Sequence, residues 1–96
     1  MNRVTGRVPT LHAAKYISQL CKHWAHKLEV EQYADTGIVR LPMGVATMAA
    51  HAGELSIVID ANDEASSERL KEVVTSHLDR FAFREAPLPF EWSTAL

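Results

Sequence analysis

The sequence has one cysteine and no long apolar run, and these scarcities argue against several classes of protein. With a single cysteine, Cys21, it cannot form an intramolecular disulfide, and we expect a cytoplasmic protein. No apolar run approaches the roughly 20 residues of a membrane-spanning helix, and the N-terminus leads into no apolar segment of a signal peptide. The formal net charge is −2, and the predicted sheet lacks the basic and aromatic residues of nucleic-acid platforms. We therefore expect neither a membrane nor a nucleic acid as partner.

Acidic residues are absent from the first 28 positions. That segment holds five lysines and arginines, a formal charge of +5, whereas the remainder holds five basic and twelve acidic residues, a formal charge of −7. The basic segment can attract an anionic small molecule or an acidic partner. In the alternative interpretation, it lies beside the acidic face of the second helix of the same chain.

Five short segments have the composition and alternation of strands. Turn residues such as Gly37, Pro42 and Gly53 separate the last four. Because connections this short join neighbouring strands, we expect antiparallel pairing. The predicted strands are Arg3–Val8, Glu29–Tyr33, Ile38–Leu41, Val45–Ala50 and Leu55–Asp60.

Two segments have the periodicity of amphipathic helices. The first runs from Leu11 to Lys27, with Thr10 as its N-cap. The second begins at Asn62–Glu64 and runs to about Phe83. Their apolar stripes are expected to face the core and comprise Ala13, Ile17, Leu20, Trp24 and Leu28 in the first helix and Leu70, Val73, Val74, His77, Leu78 and Phe81 in the second.

These elements predict one α+β domain over residues 1–96, a two-layer sandwich. One antiparallel sheet of about five strands carries both helices on one face, in the order β-α-β-β-β-β-α. The alternation of Phe90 and Trp92 with polar residues offers a further C-terminal strand. Around Val45 and Thr47 the other sheet face is moderately apolar, which is typical of a surface covered by a second copy. We therefore expect a homodimer.

Residues that carry chemistry concentrate in the segment Leu20–Lys27. On a helical wheel Cys21 belongs to the apolar stripe, about 160° from His23, so the two cannot share a ligand. We expect Cys21 to be a buried, inert thiol. The spacing of His23 and His26 allows both imidazoles to meet one metal ion or anion. The alternative is an exposed pair without a ligand.

His77 lies within the apolar stripe of the second helix. It is interpreted as a core histidine hydrogen-bonded to the backbone. The alternative is that packing of the helices brings it to His23 and His26, which would create a cluster able to hold Zn²⁺ or Fe²⁺. The secondary candidates are Lys22, Gln19, Arg80 and Cys21. Among them Arg80, four residues before Arg84, could clamp a carboxylate or phosphate unless nearby acids pair with it.

Two segments, Leu20–Lys27 and His77–Glu85, resemble a family of small bacterial proteins catalogued as domain of unknown function 2218. The resemblance covers nearly the whole chain. Members occur alone, and some are fused to or lie near siderophore-interacting flavin reductases, which implies a link to iron acquisition. The chain itself has no glycine-rich nucleotide fingerprint, so it is not the reductase. The family supplies no catalytic residues; the matching positions here are Cys21, His23, Trp24, His26, His77, Arg80 and Glu85.

Two functional hypotheses follow. The main one is a non-enzymatic accessory or binding domain, dimeric and linked to iron or siderophore metabolism. It predicts an apolar sheet face closed by a partner and a basic helix surface that binds an anion. The alternative is a small metal-binding protein or enzyme centred on His23 and His26, together with His77.

Overall fold

In the computed structural model, which describes residues 2–85 and 88–94, one antiparallel sheet carries two helices. The sheet order is β2-β3-β4-β5-β1-β6. The predicted α+β fold is confirmed, and the tail provides the sixth strand; the tail positions 86 and 87 lie outside the described residues. The elements are β1 (Asn2–Pro9), α1 (Ala13–Trp24), β2 (Glu29–Gln32), β3 (Thr36–Leu41), β4 (Gly44–His51), β5 (Glu54–Ala61), α2 (Glu64–Phe81) and β6 (Glu91–Thr94).

The register of the sheet follows from the alternation of apolar and polar residues. In β1, Val4 and Val8 are buried and pair with Ile59 and Leu55 of β5, which are also buried. A slip of one residue would turn all these side chains to the opposite face, so burial fixes the pairing. The last strand pairs with β1 from the other side and lays Trp92 opposite Gly6.

Both helices pack on the same face of the sheet. A Cβ built at Gly37 of β3 would lie 2.6 Å from Sγ of Cys21 and 2.8 Å from Cγ2 of Ile17. The first helix therefore rests directly on β3, at a residue without a side chain. The core beneath the two helices contains Leu20, Met48, Leu55, Ile57, Ile59, Leu70, Val74 and Leu78, all fully buried.

The first helix is shorter than predicted at both ends. It begins at Ala13, with His12 at the N-cap and no side-chain cap, so the assignment of Thr10 as N-cap is wrong. Thr10 instead accepts a hydrogen bond from the backbone N–H of His12 at 3.1 Å. At the other end the N–H groups of Lys27 and Leu28 both donate to the carbonyl of Trp24, which closes the helix in a turn.

The second helix begins as its sequence predicts. The side chain of Asp63 accepts from the N–H of Ser66 at 2.7 Å and caps the helix. This hydrogen bond lowers the pKa of Asp63. The helix ends at Phe81, two residues before the expected Phe83, and the N–H of Ala82 donates to the carbonyl of Leu78. No helix within the described residues is long and apolar enough to span a membrane.

The second face of the sheet carries no helix among the described residues. Half-buried side chains of β3, β4 and β5 form its centre, and ion pairs border it. Arg3 pairs with Asp60 at 2.6 Å, and Arg7 pairs with Glu54 at 3.0 Å. The central side chains are Ile38, Val45, Thr47, Ala49 and Val58.

Candidate functional site

A pocket of about 350 Å³ opens where the N-terminus of α1 meets the end of α2. This volume is at the lower end of the range of small-molecule sites, about 300–1,000 Å³. One wall comes from the start of α1 and the other from the last residue of α2 and the turn after it. The lining residues are His12, Lys15, Tyr16, Phe81, Ala82, Phe83, Arg84 and Glu85.

Two hydroxyl groups donate to the carboxylate of Glu85. Tyr16, which is buried, makes a short hydrogen bond to it through its phenol. The hydroxyl of Thr10, also buried, donates to the two carboxylate oxygens at 3.0 and 3.2 Å. The bond from Tyr16 is the main reason that the pKa of Glu85 is lowered, while burial and the bond to Glu85 raise the pKa of Tyr16. Near neutral pH the glutamate is therefore ionised and the tyrosine neutral.

The rim of the pocket is positively charged. Lys15 and Arg84 are exposed and form no ion pair with a carboxylate in residues 2–85 and 88–94. The guanidinium of Arg84 lies 5.8 Å from the ring centroid of Phe83, whose side chain is 71% exposed. The ring of His12 meets that of Tyr16 edge-on at 6.0 Å. The pocket thus combines apolar rings, free cations and one hydrogen-bonded carboxylate.

Two histidines meet in the groove between the helices, beyond the pocket. The ring of Phe81, which lines the pocket, lies 5.8 Å from that of His23. The rings of His23 and His77 have centroids 5.4 Å apart, and the ring of His77 also lies 5.1 Å from Trp24. Nδ1 of His77 is 2.7 Å from the carbonyl oxygen of Val73. Because a carbonyl only accepts, Nδ1 carries a proton, and in the neutral ring Nε2 keeps a lone pair.

The structure brings together two of the three main candidates from the sequence. His77 has the predicted hydrogen bond to the backbone, and it also meets His23. His26 is exposed in the turn that follows Trp24 and lies off the regular helix. Among the described residues no group of three or more histidine, cysteine or carboxylate side chains could hold a metal ion. A centre of three histidines for Zn²⁺ or Fe²⁺ is therefore absent from this part of the chain.

The secondary candidates differ in their surroundings. Cys21 is buried and burial raises the pKa of its thiol, as expected for an inert side chain. Oε1 of Gln19 is buried without a hydrogen-bond partner among the described residues. Lys22 and Arg80 are exposed. Neither forms an ion pair in the described ranges.

The basic face of α1 is not neutralised by α2 within the described residues. The ion pairs of α2 are internal, Arg69 with Glu72 and Lys71 with Glu68. The other ion pairs join strands of the sheet. In this part of the chain no ion pair joins the acidic face of α2 to α1, and Lys15 and Lys22 of α1 are exposed.

Sequence reasoning missed the residues beneath the pocket. The sequence pattern predicts a helix cap at Thr10, and no motif marks Tyr16. Glu85 stands at the end of the second motif of the family resemblance, which was the available signal. Its partners lie 75 and 69 residues away in the chain, a separation that no local pattern encodes.

Comparisons with known proteins agree with this fold. The model of a family described as "Uncharacterized protein conserved in bacteria (DUF2218)" matches residues 5–93. Among solved structures, the chain is similar to the NMR structure of PA4090 from Pseudomonas aeruginosa. The two chains are 34% identical, the match covers 97% of this chain and 96% of that one, and the TM-score is 0.83. No curated protein matches.

Proposed function

The chain belongs to this bacterial family, and we propose that it is a non-enzymatic binding domain that takes a small anionic molecule into the pocket between α1 and α2. The observation that carries the proposal is the rim of the pocket of about 350 Å³. There Lys15 and Arg84 have no carboxylate partner among the described residues. Free cations at the mouth of a preformed pocket attract and orient anions.

The lining of the pocket narrows the class of ligand. A carboxylate or phosphate at the rim can take charge-assisted hydrogen bonds from Lys15 and Arg84. The rings of Phe81 and Phe83 can pack on its carbon skeleton. Glu85 repels a second anionic group but can accept a hydrogen bond from a hydroxyl. We therefore favour a small hydroxylated monocarboxylate. Hydroxycarboxylate groups also chelate iron, which suits the proposed link to iron or siderophore metabolism.

The pKa shifts of Glu85 and Tyr16 favour a binding role for the pocket over acid–base catalysis. A general acid or base works best with a pKa near the operating pH. Here the pKa of Glu85 is lowered and that of Tyr16 is raised, so both move away from neutral pH. The pair holds the turn after α2 against the start of α1 and thereby shapes the pocket.

The proposal includes a cytoplasmic homodimer closed through the second face of the sheet. The apolar centre of that face includes Ile38, Val45 and Val58, all half-buried in one chain. A neighbouring copy would bury them further, and such faces commonly mark interfaces. Each bordering arginine already has an acidic partner within the chain, so two such faces could approach without unpaired charges. The mass of the protein in solution tests this part.

The ligand is sought by titration with lactate, a hydroxylated monocarboxylate, and with inorganic phosphate, and binding is followed by amide chemical shifts. We expect shifts at residues lining the pocket, and about tenfold weaker binding in Lys15→Ala and Arg84→Ala, since each loses a charged hydrogen bond. Lys22→Ala removes the same charge from α1 outside the pocket and should bind within about twofold of the parent. Shifts that avoid the pocket, or equal losses in all three variants, would contradict the proposal.

A further inference from the structure

We propose that His23 of α1 and His77 of α2 form a cross-helix site for a divalent transition-metal ion such as Zn²⁺, separate from the anion pocket. The two residues are 54 positions apart in the chain, yet their ring centroids are 5.4 Å apart. The site therefore depends on the packing of the helices and not on a sequence motif.

The separation of the rings fits two ligands on one ion. A zinc–nitrogen bond is about 2.1 Å, and a ring nitrogen lies about 1.15 Å from the imidazole centroid, so each centroid stands about 3.2 Å from the metal. At a tetrahedral angle of about 109°, two such rings have centroids about 5.3 Å apart. The observed 5.4 Å between the ring centroids of His23 and His77 matches this separation.

The hydrogen bond of His77 prepares it as a ligand. Its Nδ1–H donates to the carbonyl of Val73 at 2.7 Å, which leaves the lone pair of Nε2 available. Metal-binding histidines usually donate their other ring N–H in this way, because the bond fixes the tautomer and the ring orientation. The ring of Trp24, 5.1 Å away, further restricts that of His77. His23 is exposed and can rotate to complete the pair.

The imidazole groups of His23 and His77 determine which metal ions the site binds and how tightly. Imidazole ligands suit Zn²⁺ and its neighbours in the transition series, whereas Mg²⁺ takes oxygen ligands. With two protein ligands, water fills the remaining positions, so affinity falls below that of sites with three or four. The positive charge of Arg80, three residues after His77, weakens binding further. We expect micromolar binding of Zn²⁺ and no binding of Mg²⁺ at these rings.

Imidazole NMR signals during titration with Zn²⁺ test the site. In the parent protein, signals of His23 and His77 should shift together at one ion per chain, whereas Mg²⁺ should leave them unchanged. His23→Ala and His77→Ala should each weaken binding at least tenfold. His26→Ala, an exposed histidine from the same segment, is the matched control and should bind like the parent.

Three outcomes would overturn the site. Losses in His23→Ala and His26→Ala but not in His77→Ala would assign the ion to the sequence-adjacent pair. Equal binding by all the variants would mean nonspecific association, and no shift at either ring would leave only aromatic packing. His23→Ala alters an exposed side chain and is expected to fold, so the test does not depend on His77→Ala. Lys15→Ala should retain Zn²⁺, which keeps failure of this site distinct from failure of the anion pocket.

Discussion

Replacing Gly37 by alanine would test how closely α1 rests on the sheet. The new methyl group would lie 2.6 Å from Sγ of Cys21 and 2.8 Å from Cγ2 of Ile17, both closer than carbon side chains approach in folded proteins. The φ angle of Gly37 is not positive, so alanine suits the backbone. The expected effect is therefore steric, and it isolates the contact between helix and strand.

The expected loss of stability in Gly37→Ala depends on how easily the neighbouring side chains can move away. Overpacking a core typically costs about 1–3 kcal/mol, and a β-branched residue such as Ile17 cannot easily rotate away. Glycine-to-alanine replacement also restricts the unfolded chain, which offsets about 0.4–1 kcal/mol. We expect Gly37→Ala to lower the free energy of unfolding by about 1–2 kcal/mol. For a domain of this size, each kcal/mol lowers the melting temperature by about 4–8 °C.

Urea denaturation followed by far-ultraviolet circular dichroism measures this change, and a double-mutant cycle assigns it to the contact. Cys21→Ala removes the atom nearest the new methyl group, so the double variant should be more stable than the sum of the single effects predicts, by about 0.5–1 kcal/mol. Gly6→Ala provides the comparison, because its methyl group would meet the ring of Trp92 on the terminal strand. That strand lies at the edge of the sheet and the contacting atoms belong to the far end of the indole, so the cost should be smaller. A loss below about 0.5 kcal/mol for Gly37→Ala, or strict additivity with Cys21→Ala, would refute the close docking of α1.

Two further predictions concern pH and assembly. The pKa of Glu85 is lowered from 4.5, mainly by Tyr16, so the stabilising contribution is present above pH 4.5 and is lost as pH falls through the lowered pKa. The urea midpoint of Tyr16→Phe should therefore fall less at acid pH than that of the parent. Equal changes of the midpoint with pH in the two proteins would contradict this prediction. For the homodimer, sedimentation equilibrium should give twice the 10.7 kDa chain mass. Val58→Lys should give the monomer mass, whereas a monomeric parent would rule out the interface.

Most of the sheet could be predicted because its determinants are local. Alternating residues define each strand from β1 to β5, and short turns leave little choice of neighbour. The terminal strand was harder to place, since the alternation around Trp92 indicates a strand but not its partner. In the structure this strand pairs with β1, and the absence of a side chain at Gly6 leaves space for the indole ring. Such a pairing depends on shape complementarity between distant segments.

The candidate sites were less accessible from sequence because each joins distant parts of the chain. The wheel correctly separated Cys21 from His23, since both lie on one regular helix. The predicted pairing of His23 with His26 assumes that the helix continues to Lys27, whereas the helix ends at Trp24. The contact between His23 and His77 required the packing of two helices, and the pocket required a turn whose conformation no periodicity describes.

Both proposed sites lie in the groove between α1 and α2, so both depend on how the two helices pack. Tyr16, near the start of α1, meets Glu85 beyond the end of α2, whereas His23, near the end of α1, meets His77 within α2. The helices therefore run in opposite directions, and their shared groove holds the anion pocket at one end and the histidine pair at the other. The close contact at Gly37 holds the buried face of α1 against the sheet. The opposite face of α1 can therefore present polar groups at defined positions. A change beneath α1 should consequently disturb both sites together, whereas a change at either site should leave the other intact.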